Sequence, residues 1–260
     1  MSVFGRLEEY RGRALGDEAG ARILREGYRR HPIARSNELY AEPLVDIRAY
    51  GIAGENYYFA TRNPPYWRRI DGAIPDLKLR CTVAGKLARA NARLGEVGLE
   101  IFVFDAWRPK AVQTYFHDVW MPAEVLKRNP ALSGAALTAE VERYWAAPST
   151  DADSPAPHAT GAAVDLTIRW KGGEQLWMGS IFDDATALAH RDHFENLHGD
   201  AISFSDEEAR ANRRLLFWLM TEEGFTGHPD EWWHFSWGDQ MWAKLSGADA
   251  AHYGLAPDGS

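Results

Sequence analysis

Residues 157–168 have the sequence PHATGAAVDLTI, and this turn and strand are the stretch around which the rest of the chain can be arranged. The apolar run at 162–168 predicts a buried strand, and Gly161 before it can take the backbone conformation of a sharp turn. His158 and Asp165 are seven residues apart, so on one straight strand their side chains would point to opposite faces. They converge only if His158 lies in the turn that precedes the strand.

A second segment, DEWWHF at 230–235, contains another histidine in a predicted strand at 232–237. Zinc in a hydrolase is usually held by three protein ligands, histidines with a carboxylate or a further histidine, and one position stays open for water. His158, Asp165 and His234 would supply that set. The sequence therefore predicts a candidate site for one Zn²⁺ per chain.

Two further residues have the chemistry that such a site needs. Glu231 would lie at the start of the strand that carries His234, and a carboxylate there can take the proton of a zinc-activated water and pass it to a leaving amine. Arg108 follows a predicted strand at 100–104 and precedes a helix. Its guanidinium could polarise a scissile carbonyl or hold a developing oxyanion.

Each of these residues, taken singly, also has an interpretation without function. A lone loop histidine is usually a surface or core residue, and Asp165 could pair with a lysine. The Glu-Trp-Trp-His segment could be an edge strand with core tryptophans, and Arg108 could pair with Asp105. The residues together form a complete metal-hydrolase set, and this combination favours the functional interpretation.

The composition narrows the class of protein. The 260 residues include 29 Lys and Arg against 37 Asp and Glu, a net charge of −8, which argues against a nucleic-acid partner. No segment has the length and apolarity of a membrane span, and the N-terminus lacks the apolar core of a signal peptide. The single cysteine, Cys81, fits a reducing compartment. We therefore expect a protein of the cytoplasm with no membrane partner.

Helices and strands follow one another without a regular βαβ alternation, so the sequence predicts an α+β fold rather than a doubly wound sheet. Residues 1–40 form a helical N-terminal arm in this prediction, and residues 41–260 form one domain. The predicted helices are at 83–94, 109–120, 122–128, 138–145, 183–193 and 205–221. The predicted strands are at 44–50, 100–104, 162–168 and 232–237.

These motifs resemble those of the M15 peptidases. HATGAAVDLT at 158–167 is similar to the HxxGxAxD zinc motif of the family, and EWWHF at 231–235 is similar to its Glu-x-x-His motif. DAWRPKAV at 105–112 resembles its Asp-(Ala/Gly)-Tyr/Trp-Arg-Pro segment. With MGSIFD at 178–183 and NRRLLFWLMTEEGF at 212–225, the resemblance is to the D-alanyl-D-alanine dipeptidases of the VanX type.

The resemblance implies a hedgehog/DD-peptidase fold with a central antiparallel sheet and flanking helices, and a small dipeptide, free D-Ala-D-Ala, as a cytoplasmic substrate. It implies these site residues: zinc ligands His158, Asp165 and His234, general base and acid Glu231, transition-state stabiliser Arg108, and Asp183 at the substrate amino group. Ala156 stands where the family commonly has a serine that helps to hold the amine.

Two alternatives remain open at this point. One is a peptidoglycan D,D- or L,D-carboxypeptidase of the same fold, which would trim longer peptides. The other is a non-catalytic zinc-binding module, although Glu231 and Arg108 beside the ligands argue against it because a structural zinc needs neither. The sequence gives no prediction of the oligomeric state.

Overall fold

The computed structural model of the protein describes residues 2–149 and 151–256. At its centre is a five-stranded sheet with the strand order β2-β4-β5-β7-β6. These strands are β2 (Ala53–Gly54), β4 (Leu99–Asp105), β5 (Ala163–Trp170), β6 (Thr226–Gly227) and β7 (His234–Ser236). The remaining two, β1 (Leu44–Asp46) and β3 (Lys78–Arg80), form a separate antiparallel pair.

Eight α-helices surround the strands in the described part of the chain. They are α1 (Val3–Gly12), α2 (Glu18–Arg25), α3 (Cys81–Gly95), α4 (Lys110–Tyr115), α5 (Met121–Arg128), α6 (Gly134–Val141), α7 (Phe204–Glu222) and α8 (Gln240–Ser246). A π-helical turn, Phe116–Trp120, joins α4 to α5. None of these helices is long and apolar enough to cross a membrane.

The longest strands and helices form because their apolar residues recur with the period of each element. Every residue of β5 from Ala163 to Ile168 is buried, as expected of a strand covered on both faces. On α3 a buried stripe with helical spacing faces the core: Val83, Ala84, Leu87, Ala90 and Leu94. Helix α7 begins at a capping box, in which Ser203 and Asp206 each bond the other's backbone N–H.

The α+β class predicted from the sequence is confirmed. Within the central sheet, β4, β5, β7 and β6 pair antiparallel, but β2 pairs with β4 in parallel, so the sheet is mixed. The antiparallel part is the one that matters for the site. It places Asp165 of β5 between Asp105 of β4 and His234 of β7.

The helix predicted at 183–193 is wrong, because these residues form turns and a short 3-10 segment, Ala187–Ala189. Asp183 has a left-handed backbone with φ 59°, which ends any helix there. The buried guanidinium of Arg213 also bonds the carbonyls of Leu188 and His190, at 2.7 and 2.6 Å. Helical N–H groups would have needed those carbonyls.

Two predicted strands are shorter than expected. The strand predicted at 44–50 ends at Asp46, whose side chain accepts from the N–H of Arg48 and starts a 3-10 turn, Ile47–Tyr50. The strand predicted at 232–237 is limited to β7, because Trp232 and Trp233 lie in the preceding turn.

The N-terminal segment lies against the rest of the protein through charged contacts. Helix α1 packs on α7, and α2 packs on α8. Glu18 accepts from Arg191 at 2.5 Å in a buried ion pair, and Arg22 bonds both Asp192 and Asp230. The end of α2 is thereby held next to the turn that precedes Glu231.

Candidate metal centre and substrate pocket

His158 lies in a 3-10 turn, Pro157–Thr160, that leads into β5. Gly161 ends the turn with φ 72°, and a Cβ at this position would lie 2.2 Å from Leu44 Cδ2, so only glycine fits. The buried His158 ring donates from Nδ1 to the carbonyl of Ala106 at 2.7 Å. This bond leaves Nε2 available as a ligand, and Nε2 lies 3.3 Å from Asp165 Oδ2, so the turn brings the two residues together.

Asp165 and His234 are direct partners across the antiparallel pair of β5 and β7. His234 Nδ1 lies 3.0 Å from Asp165 Oδ1 and 3.1 Å from His158 Nε2. Burial disfavours the charge on Asp165, but the two adjacent imidazoles hold the pKa of its carboxyl well below the usual range. One nitrogen from each of two histidines therefore faces a carboxylate.

These three residues suit a metal ion in both geometry and chemistry. One candidate ligand atom from each lies within 4.8 Å of the others, and all three side chains are buried. Asp165 Oδ1 is buried and makes no hydrogen bond within the described residues. Such an orphaned oxygen is costly unless a cation binds it. Two imidazoles and one carboxylate form a donor set that zinc accepts, with a position left for water.

Glu231 lies next to this cluster, three residues before His234. Its side chain is buried, and Oε2 is 3.7 Å from His234 Nδ1, one of the candidate ligand atoms. Burial and the nearby Asp165 raise the pKa of Glu231 well above its ordinary value. His228 does not bond Glu231: its ring is 4.0 Å away, and its Nδ1 accepts from the N–H of Asp230.

Arg108 is buried and is held from several sides. It donates to Asp105 at 2.8 Å, Gln113 at 2.9 Å, Asp165 at 3.1 Å and the Tyr58 hydroxyl at 3.3 Å. The alternative that Arg108 pairs with Asp105 is therefore also correct, but the same guanidinium reaches the carboxylate of the metal cluster.

Asp183, whose backbone is left-handed, lines the same pocket as Arg108 and the candidate metal ligands. Its Oδ2 accepts from the hydroxyls of Tyr58 at 2.9 Å and Tyr66 at 2.8 Å. Burial and the charge of Asp165 raise the pKa of Asp183 to about 7, although Arg108 and the two hydroxyls oppose the shift. Asp183 is thus an acidic group in a pocket whose other wall holds the candidate metal ligands.

Sequence reasoning missed some of the pocket residues. Tyr66 follows a loop of prolines with no regular pattern, and Arg25 and Tyr28 belong to the N-terminal arm, outside the motifs. One cavity is lined by Arg25, Tyr28, Arg108, Asp183, Glu231 and His234 among others, whereas Tyr66 is connected to it through its hydrogen bond to Asp183. The histidines at 190, 193 and 198 do not belong to it.

The structure therefore defines an α+β protein with a buried candidate metal-binding cluster and a neighbouring carboxylate in one pocket, an arrangement that suits a metal-dependent hydrolase. Residues 78–251 match the model of the M15 peptidase family that is described as D-ala-D-ala dipeptidase. The chain belongs to this family of metallopeptidases and has its hedgehog/DD-peptidase type of α+β fold.

Relatives of known name agree with the family. The chain is 37% identical over 215 residues to a D-alanyl-D-alanine dipeptidase of Synechocystis, covering 78% of this chain and 84% of the relative. It is 30% identical over 155 residues to the enzyme of that name from Enterococcus faecium, covering 59% and 69% of the two chains.

Among solved structures, VanYB in complex with D-Alanine-D-Alanine is 17% identical and covers 66% of this chain and 79% of its own, with a TM-score of 0.39. The LdcB LD-carboxypeptidase is 14% identical, with coverage of 67% and 66% and a TM-score of 0.35. These scores are too low to add to the family assignment.

Proposed function

We propose that this protein is a zinc-dependent dipeptidase that hydrolyses D-alanyl-D-alanine or a closely related free dipeptide in the cytoplasm. The observation that carries the proposal is the convergence of His158, Asp165 and His234 beside a buried glutamate in one pocket. The names of the relatives support the choice of substrate.

Zinc bound by the three ligands would polarise the scissile carbonyl and lower the pKa of the attacking water. Glu231 Oε2 lies 3.7 Å from His234 Nδ1, one of the proposed ligand atoms. A water bound to the zinc next to this ligand would be within reach of the carboxylate. This carboxylate would take the proton of the water and return it to the amine that leaves. In this assignment Glu231 is both general base and general acid.

Arg108 and Asp183 would orient the substrate and stabilise the transition state. Because four groups fix the Arg108 guanidinium, it can face a developing oxyanion without reorganisation. The carboxylate of Asp183, held by two tyrosine hydroxyls, is suited to bind the ammonium group of the dipeptide. Ala156, which is buried, offers no hydroxyl for the ammonium group.

The test is amino-acid release by the zinc-loaded protein from a peptide panel. The panel holds D-Ala-D-Ala, other D,D and L,D pairs, L-Ala-L-Ala and a pentapeptide that ends in D-Ala-D-Ala. We expect release from D-Ala-D-Ala and none from the pentapeptide. Release from the pentapeptide would instead establish a carboxypeptidase.

Glu231→Gln is the matched control, because it keeps the shape of the side chain but cannot accept the proton. We expect it to retain zinc and to lose about 10²- to 10⁴-fold in kcat. Zinc bound by the wild-type protein with no turnover of any peptide would favour the non-catalytic module.

A further inference from the structure

A dipeptide is a zwitterion, and its carboxylate needs a cation in the pocket just as its ammonium needs an anion. Two extended residues span only about 7 Å, so both ends of the substrate fall within one small cavity. Asp183 provides the anion. The arginines that line the described pocket are Arg25, Arg108 and Arg143, and they differ in how many of their donors are already used.

Two of these arginines are occupied by protein groups. Arg108 is bonded to Asp105, Asp165 and Gln113. Arg143 is half-exposed and contacts both oxygens of Glu140, at 3.3 and 3.1 Å. The proposed function assigns Arg108 to the developing oxyanion, and Arg143 is paired with Glu140, so neither is the first choice for the carboxylate of the substrate.

Arg25 is different. Its side chain is 16% exposed, and its contact with Asp230 is long, 3.5 Å from the terminal nitrogen to Oδ2. The other oxygen of Asp230 is bonded more closely by Arg22, at 2.7 Å. Arg25 Nε is buried and has no hydrogen-bond partner within the described residues. A buried donor without a partner is costly, which indicates that something else satisfies it.

The position of Arg25 also fits. Asp230, which it contacts, directly precedes Glu231, and the charge of Arg25 acts on Glu231 in the direction opposite to that of Asp165 and Asp183. Asp183, in turn, faces Arg108, Tyr58 and Tyr66. Arg25 and Asp183 therefore reach the pocket from different segments of the chain, Arg25 beside Asp230 and Asp183 beside Tyr58 and Tyr66.

We infer that Arg25 binds the C-terminal carboxylate of the dipeptide, so that the N-terminal arm completes the substrate pocket; this inference rests on the proposed function. The planar guanidinium suits a carboxylate, Arg25 lines the pocket, and its Nε has no partner within the described residues. With one end of the substrate held by Asp183 and the other by Arg25, both charges of a free dipeptide are bound, which favours it over longer peptides. This specificity-determining residue lies outside residues 78–251, the part of the chain that matches the family.

The test compares D-Ala-D-Ala with its C-terminal amide, which lacks the carboxylate charge. For the wild-type enzyme we expect a strong preference for the free acid. In Arg25→Gln, kcat/KM for the acid should fall by about 10- to 100-fold, mostly through KM, because charge-assisted hydrogen bonds are lost. Hydrolysis of the amide should change little, so the acid-to-amide ratio collapses. Arg25→Lys should recover part of the ratio.

Arg22→Gln is the matched control, since Arg22 lies one turn earlier on α2 and shares Asp230, but does not line the pocket. It should keep the wild-type acid-to-amide ratio even if it loosens the arm. An unchanged ratio in Arg25→Gln would overturn the inference while wild-type turnover leaves the proposed function intact. Absence of wild-type turnover on the acid would overturn both.

Discussion

The guanidinium of Arg108 donates to Asp165 Oδ2 over 3.1 Å, whereas Asp165 Oδ1 has no hydrogen bond within the described residues. Oδ2 therefore lies near both Arg108 and His158 Nε2, which is 3.3 Å away, whereas Oδ1 lies 3.0 Å from His234 Nδ1. Arg108 orients the candidate ligand, in addition to the role proposed for it towards the substrate. Removing the arginine should therefore affect the metal as well as the reaction.

We predict that Arg108→Gln weakens zinc binding by about 10- to 100-fold, the effect usual for loss of a group that orients a metal ligand. The substitution should lower kcat as well, even at saturating zinc. Competition with a chromophoric chelator measures the affinity, and assays at high zinc separate the two effects. Unaltered zinc affinity with reduced kcat would restrict Arg108 to the substrate.

His234→Ala should lose the metal, because only two of the three proposed ligands remain. Metal analysis after dialysis should find zinc in the wild-type protein and very little in the variant. His193→Ala is the control: this histidine contacts Phe194 and lies outside the metal cluster. Full zinc occupancy in His234→Ala would contradict the ligand assignment.

The convergence of the candidate metal ligands could be anticipated because each ligand lies in a short motif that is recognisable in the sequence. The glycine turn between His158 and β5 sets one ligand against another, and the strand that carries His234 pairs next to it. The helix predicted at 183–193 is wrong because a residue distant in the sequence decides the structure there. Its residues have helical spacing, but Arg213, some twenty residues later, takes their carbonyls. A tertiary contact of this kind leaves no local pattern.

The rest of the pocket could not be predicted from the sequence for a similar physical reason. Tyr66 reaches Asp183 from a loop 117 residues away, and Arg25 arrives on a helix outside the recognisable motifs. The helix that carries Arg25 is held by packing on α8 and by several charged contacts, among them the buried pair of Glu18 and Arg191. Pairings of this length depend on the whole fold, so spacing rules do not find them.

The pKa of Asp183 predicts a pH-dependent stability in the metal-free protein. Burial and Asp165 raise this pKa from 3.8 to about 7, so the folded state holds a proton that the unfolded state has already lost. The free energy of unfolding should therefore decrease as the pH rises from about 4 to about 7, and the destabilisation is complete above that range. Asp183→Asn removes the titration and still suits the left-handed backbone.

We expect the stability advantage of Asp183→Asn over wild type to grow by about 2 kcal/mol between about pH 5.5 and pH 8. Urea unfolding at the two pH values measures it. Asp184→Asn, at the neighbouring and only half-buried carboxylate, should show no such growth. A constant difference between Asp183→Asn and wild type would mean that Asp183 is ionised throughout this range.

Gly161→Ala should disturb the turn that positions His158. The new Cβ would combine a φ of 72° with a contact of 2.2 Å to Leu44 Cδ2, so we expect a loss of about 2 kcal/mol or more in the free energy of unfolding. Zinc affinity should fall too, because the turn carries a proposed ligand.

Combining Gly161→Ala with Leu44→Ala separates the backbone strain at residue 161 from the steric contact with the Leu44 side chain. If the steric contact dominates, Leu44→Ala costs less in the presence of Gly161→Ala than alone, and part of the zinc affinity returns. If zinc affinity stays normal in Gly161→Ala, the turn does not set the position of His158.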